Sequence, residues 1–111
     1  MRNSEDAKQA AKRHLESIRA AASPVRLAIL RYLKDPTRNF PAQVDGDLVR
    51  DGVCADFIRK KLGIAAATAS RHLTLLTAAG LLIATRKKGW TFYRRDEQAI
   101  RRFVKTLQSD L

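Results

Sequence analysis

The amino-acid sequence predicts a mainly α-helical protein of about five helices with one small β-hairpin. Apolar residues recur at intervals of three and four along most of the 111 residues, which is typical of amphipathic helices. In residues 81–95, β-branched and aromatic residues alternate instead, on both sides of Gly89. The length suits one domain with a modest core, and we expect residues 1–111 to form a single domain.

Two helices are expected before a long loop. The first begins at Ser4, an N-cap residue followed by two acidic residues, and runs to about Ala22. The second has Pro24 at its first helical position and ends at Pro36. Residues 36–52 contain two prolines and two glycines, and we interpret them as a loop.

Two shorter helices are expected after this loop. The first covers about residues 53–62 and stops at Gly63, a residue type that favours helix C-termini. The second covers about residues 66–79 and has an apolar face. Its core-facing side chains are Ala66, Ala69, Leu73 and Leu76. The opposite side of the same helix must therefore face solvent or a partner.

Small and polar side chains form an exposed strip along that opposite side. The strip and its borders contain Thr68, Ser70, Arg71, His72 and Thr74. A helix with such small residues can approach another surface closely, and the DNA major groove, about 12 Å wide, accepts it. We expect Arg71 to be the best candidate for a bidentate guanine contact, and His72 to meet a phosphate or to pack at the border.

A basic hairpin follows this helix. Residues 81–95, LLIATRKKGWTFYRR, predict two strands joined by a tight turn at Gly89. Its tip carries the cations Arg86, Lys87 and Lys88. A last helix begins after Asp96, and its apolar stripe consists of Ile100, Phe103, Val104 and Leu107. This order is the layout of a winged helix-turn-helix, in which the hairpin tip lies against the phosphate backbone.

The charge of the chain indicates a polyanionic partner. Lysine and arginine total 22 against 11 acidic residues, a formal net charge of +11. Basic residues cluster in the hairpin and the last helix, whereas four aspartates lie within residues 45–56, so we expect a positive face that binds nucleic acid. No membrane contact is expected, because the basic residues do not share one amphipathic helix. The charged N-terminal residues are unlike a secretory segment and predict a cytoplasmic protein.

Neither catalysis nor a cofactor is expected. The sequence contains no P-loop, no GxSxG and no glycine-rich phosphate fingerprint. Ser70 and His72 are two residues apart on a helix, so their side chains diverge by about 200° and cannot form a nucleophile–base pair. Two other uses of the fold stay open: contact with a protein, and RNA binding through Trp90, Phe92 and Tyr93.

Three segments of the chain carry a family resemblance: SPVRLAIL, CADFIRKKLGIAAATASRHLTLLTAAGLL and KKGWTFYRR. Their order and spacing resemble the ArsR/SmtB family of bacterial winged-helix repressors, over roughly residues 15–95. The resemblance implies a homodimer that binds a palindromic double-stranded DNA operator and represses transcription until an inducer releases it. It also implies a dimer interface on the first and last helices, at Leu15, Ile18, Ile100, Phe103, Val104 and Leu107.

The usual metal sensor of that family is incomplete in this sequence. Where metal-sensing members carry a Cys-x-Cys pair, this chain has Cys54 and Asp56, and the last helix contains no histidine. Because soft-metal sites need several thiolate or imidazole ligands, we expect no metal here, and the identity of the inducer stays open. We interpret Cys54 as a small buried hydrophobe on a stripe with Ile58 and Leu62. The alternative is a thiol- or metal-responsive repressor that senses through Cys54.

Overall fold

A computed structural model describes residues 4–111 as six helices and a three-stranded antiparallel sheet. Residues 1–3, which the predicted domain of residues 1–111 includes, lie outside the described residues. In chain order the elements are α1 (Ser4–Ala21), α2 (Pro24–Lys34), α3 (Pro36–Asn39), β1 (Val53–Cys54), α4 (Ala55–Leu62), α5 (Ala66–Ala78), β2 (Leu82–Lys87), β3 (Trp90–Arg95) and α6 (Glu97–Asp110). No helix within residues 4–111 has both the length and the apolar character that crossing a membrane requires.

The prediction of a loop over residues 36–52 is wrong for its first residues, which form α3. Pro36 occupies the first helical position, and its fixed φ suits a helical turn. The Asn39 side-chain amide donates to the carbonyl oxygens of Asp35 at 2.9 Å and Tyr32 at 3.1 Å. Phe40, which follows directly, is buried in the core. The buried ring and these hydrogen bonds hold a turn that the prolines alone do not predict.

The helix predicted for residues 53–62 begins two residues late, because Val53 and Cys54 form a strand. Val53 pairs with Tyr93 and Cys54 with Phe92 of β3, so the sheet order is β1-β3-β2. Val53 is fully buried, as suits a β-branched residue in a sheet. The wing is therefore two strands of a three-stranded sheet rather than a free hairpin.

One core joins the helices to the sheet and holds α5 by its inner face. Its most completely buried large side chains are Ile29, Val53, Ile58, Leu73, Leu76 and Leu81. The predicted inner face of α5 is confirmed for Ala69, Leu73 and Leu76 but is wrong for Ala66, which is exposed. Ala66 lies in the first turn of α5, which extends past the core. The polar side of α5 consequently faces away from the protein.

Candidate nucleic-acid interface

Helices α4 and α5 form the helix-turn-helix, with a three-residue turn between them. Gly63 ends α4 in the left-handed conformation, at φ 68°, which a residue without Cβ adopts at no steric cost. The N–H of Ile64 then donates to the Arg59 carbonyl at 3.1 Å and closes the last turn. Buried Ile58 and Leu73 tie both helices to the common core. The tight turn thus fixes the direction in which α5 leaves α4.

Four side chains of the exposed strip on α5 make no polar contact with other parts of residues 4–111. Thr68, Ser70, Arg71 and Thr74 are all exposed. Within residues 4–111, none of these four side chains makes a hydrogen bond or an ion pair. Their hydroxyl groups and the Arg71 guanidinium therefore keep their full hydrogen-bonding capacity for an external partner.

His72 differs from the rest of the strip because it already has a partner. The ring is half-buried at the border of the strip, and its Nδ1 lies 3.0 Å from Nη1 of Arg26 on α2. Burial of the ring, together with the positive charges of Arg26 and Arg71, holds the pKa of His72 below its ordinary value. These surroundings consequently favour the neutral form of the imidazole.

The wing ends in a two-residue turn at Lys88 and Gly89. Their φ values are 52° and 79°, both in the left-handed region, as a type I′ hairpin turn requires. Lys87 pairs with Trp90 across the strands directly below this turn. Arg86 and Lys88 are exposed and, among the described residues, have no acidic partner.

Lys87 is the exception among the three wing cations. Its Nζ lies 3.3 Å from Oδ2 of Asp51, a buried carboxylate in the loop that precedes β1. The backbone N–H of Asp47 donates to the same oxygen at 2.8 Å. That hydrogen bond, aided by Lys87 and opposed by burial, lowers the pKa of Asp51. The predicted phosphate ligand Lys87 is therefore engaged within the free protein, which the segregation of acidic and basic residues in the sequence did not reveal.

The terminal helices α1 and α6 pack together. The six predicted interface residues on these helices fall into two groups by their exposure. Leu15 of α1 and Val104 of α6 point outward, each 44% exposed. The other four are half-buried: Ile18, Ile100, Phe103 and Leu107. The Phe103 ring contacts His14 of α1, with 5.7 Å between ring centroids, and both Ile100 and Phe103 pack on the core. Leu15 and Val104 are thus the predicted residues that leave most apolar surface uncovered.

Cys54 is buried, as predicted, where β1 meets α4. Its backbone N–H donates to the side-chain oxygen of Gln43 at 2.8 Å. Asp56, at the second Cys-x-Cys position, pairs with Arg59 at 2.8 Å and Lys60 at 3.0 Å. The part of the chain that the structure describes contains no cluster of three or more potential metal ligands.

The described geometry matches known regulators. No protein-family model matches the chain. The uncharacterized HTH-type transcriptional regulator YbzH of Bacillus subtilis (strain 168) is 38% identical over 97 residues, which span 87% of this chain and 97% of the relative. HTH-type transcriptional regulators are a non-enzymatic class, in agreement with the prediction that the chain is not an enzyme.

Solved structures extend the likeness to the whole fold. An ArsR-like transcriptional regulator from Rhodococcus sp. RHA1 has a TM-score of 0.67 at 18% identity, covering 91% of this chain and 81% of that one. A homodimeric winged helix-turn-helix DNA-binding domain from Mycobacterium bovis, of a possible ArsR-family regulator, also has a TM-score of 0.67, at 23% identity. That match covers 99% of this chain and 89% of the solved domain. The chain therefore belongs to the HTH-type transcriptional regulators and has the winged helix-turn-helix fold of ArsR-like proteins.

Proposed function

We propose that this regulator is a bacterial, cytoplasmic, homodimeric repressor that binds a palindromic operator in double-stranded DNA. Residues 1–111 act as a single DNA-binding domain, and an unidentified inducer releases the operator. The observation that carries the proposal is the polar strip on α5, whose four exposed side chains have no polar partner within residues 4–111 and which directly precedes the basic wing along the chain.

Base readout is assigned to the strip on α5. Arg71 lies at its centre, is exposed and has no acidic partner within residues 4–111. A guanidinium can donate two parallel hydrogen bonds to the O6 and N7 acceptors of guanine in the major groove. Hydroxyl side chains contact either base edges or phosphates, and this role falls to Thr68, Ser70 and Thr74.

Phosphate contacts are assigned to the wing. Arg86 and Lys88 are exposed near the turn and supply charge without a competing carboxylate among the described residues. Lys87 contributes less in our proposal, because a phosphate has to compete with Asp51 for its ammonium group. Each cation that neutralises a phosphate releases counterions, so binding should weaken steeply with salt.

Dimerisation is assigned to α1 and α6. Leu15 and Val104 expose apolar surface on these two helices, and burying it against a second copy would be favourable. A two-fold axis would then allow the two α5 helices to enter successive major grooves, about 34–36 Å apart. The homodimeric state of the Mycobacterium bovis domain, which has the same fold, supports this arrangement.

Selection from a pool of randomised duplexes, combined with light scattering, tests the proposal. We expect a dimer that enriches an inverted repeat with half-site centres one helical turn apart, about 10 base pairs. A monomeric protein at concentrations that bind DNA, or a pool without any enriched sequence, would contradict the proposal.

The RNA-binding alternative is disfavoured by the wing aromatics. Single-stranded RNA needs exposed rings on which bases stack. Phe92 is buried and Tyr93 is half-buried, so Trp90, at 49% exposure, is the most accessible of the three wing rings. Competition between duplex DNA and single-stranded RNA of equal length would distinguish these two functions, and we expect the duplex to win.

A further inference from the structure

Arg26 connects three helices through its guanidinium group. The residue lies in the first turn of α2, where its backbone N–H donates to the Ser23 cap. Its Nε donates to the Ala20 carbonyl at 2.6 Å, and its Nη2 lies 3.4 Å from the Arg19 carbonyl. These carbonyl groups belong to the last turn of α1, where carbonyl oxygens lack the usual helical donors, and the Arg19 oxygen also accepts from the N–H of Ala22 at 3.3 Å. The remaining nitrogen, Nη1, lies 3.0 Å from Nδ1 of His72 on α5.

The Arg26 contact determines where the His72 ring carries its proton. A guanidinium is always protonated and can only donate hydrogen bonds, so Nδ1 of His72 has to accept. A neutral imidazole has one N–H, which then has to be on Nε2. The neutral state itself is favoured because burial and two arginine side chains oppose protonation, as the lowered pKa of His72 indicates.

The Nε2–H group of His72 has no hydrogen-bond acceptor among residues 4–111. His72 adjoins Arg71 at the border of the exposed strip, on the side of the protein that we assign to DNA. A fixed imidazole N–H at the edge of a groove is a suitable donor to a phosphate oxygen, a contact that sets the register of a protein on DNA.

We propose that Arg26 is a positioning residue of the DNA-binding surface, which holds the His72 ring in one orientation and tautomer so that its Nε2–H donates to a DNA phosphate. The proposal rests on the DNA-binding function proposed above. Arg26 itself needs no contact with DNA in this arrangement. Its effect on affinity passes through His72.

The first test needs only the unmodified protein without DNA. The chain has two histidines, so long-range 1H–15N spectra at pH 7.5 show two imidazole rings, and a His14→Gln variant assigns them. We expect His72 to carry its proton on Nε2, with an unprotonated Nδ1. A proton on Nδ1, or a rapid mixture of both tautomers, would overturn the proposal whether or not the protein binds DNA.

The second test compares Arg26→Gln with Arg31→Gln on the same helix, where Arg31 is exposed and its side chain makes no hydrogen bond or ion pair among the described residues. Loss of one charge-assisted phosphate contact should weaken duplex binding about three- to tenfold for Arg26→Gln, against less than about twofold for Arg31→Gln.

In a His72→Ala background, Arg26→Gln should weaken duplex binding by less than about a further twofold. An equal loss in both backgrounds, or no loss in either, would overturn the role of Arg26. Failure of the unmodified protein to bind any duplex would instead contradict the proposed function.

Discussion

The exposed strip on α5 and the wing both face outward, yet they differ in whether their polar side chains already make contacts within the protein. On α5, the side chains of Thr68, Ser70, Arg71 and Thr74 have no polar contacts within residues 4–111, and the helix is held by its buried opposite face and by the contact of His72 with Arg26. On the wing, Lys87 is held by Asp51 of the loop that precedes β1. The position of the strip is therefore set by the packing of α5, whereas the position of the wing is set partly by the ion pair of Lys87, one of its cations.

This difference suggests a division of work between the two surfaces. Base readout needs side chains whose donors are unengaged, since the hydrogen-bond pattern of the groove has to be met without first breaking internal contacts. Phosphate contact depends mainly on charge and tolerates several geometries. A lysine that also anchors the wing can serve such a surface, whereas it would be a poor reader of bases.

The largest expected effect on operator affinity comes from breaking the proposed dimer, in which the strip and the wing would each be present twice. Val104→Asp places a charge on the exposed apolar side of α6 without disturbing the core, so the protein should become monomeric. Losing the second half-site should weaken operator binding by on the order of 100-fold or more. Light scattering and a DNA titration measure the two effects. Val49→Asp, at another exposed valine outside the helices and strands, is the control and should stay dimeric. A dimeric Val104→Asp protein would contradict the assigned interface.

Arg71→Ala tests the strip as the reading surface. Removing a bidentate guanine contact should cost about 1–3 kcal/mol on the operator and relax the preference at one position per half-site. Affinity for random duplex should change much less. The matched control is Arg31→Ala, an exposed arginine on α2. If operator and random duplex lost affinity equally, Arg71 would be a phosphate ligand rather than a base reader.

Substitution of the two wing lysines, Lys87 and Lys88, tests whether a cation with an internal partner contributes less to DNA binding than one without. Lys88→Ala should make the log–log salt dependence of binding shallower by about 0.9, the value for one phosphate contact on duplex DNA. Lys87→Ala should change this slope by less, because Asp51 already pairs with the ammonium group. Asp51→Asn should in turn make the slope of the otherwise unmodified protein steeper. Equal slope changes for the two lysines would show that the ion pair does not limit the contact of Lys87 with DNA.

The smallest effect is expected from metals. Asp56 is paired with Arg59 and Lys60, and Cys54 is buried, so the two Cys-x-Cys positions do not offer a soft-metal site. Zinc, cadmium or arsenite at modest excess should leave operator affinity within about threefold, below the 5–150-fold range of typical allosteric coupling. A DNA titration of the reduced protein with and without each metal measures this. Stoichiometric metal binding that releases the operator, and that Cys54→Ser abolishes, would instead make Cys54 a sensor.

Local patterns in the sequence were sufficient to predict the fold class, the two faces of α5 and the basic wing. Helical periodicity assigns Leu73 and Leu76 to the core and Arg71 to the surface, because the direction of each side chain follows from its position in the helix. The turn at Gly89 is equally local, since the residue type itself determines which φ values are accessible. The resemblance to ArsR-type repressors is confirmed at the level of fold, because its motifs coincide with these local elements.

Only the tertiary structure decided which distant side chains meet. Asp51 and Lys87 are 36 residues apart, and Arg26 and His72 are 46 residues apart. The strand β1 has only two residues, too few to show an alternating pattern, and exists because β3 lies beside it. Such contacts depend on the path of the whole chain, since burial in a common core is what brings a loop carboxylate to the wing and an α2 arginine to α5. That path therefore determines which cations of the proposed DNA-binding surface have a partner within residues 4–111 and which have none.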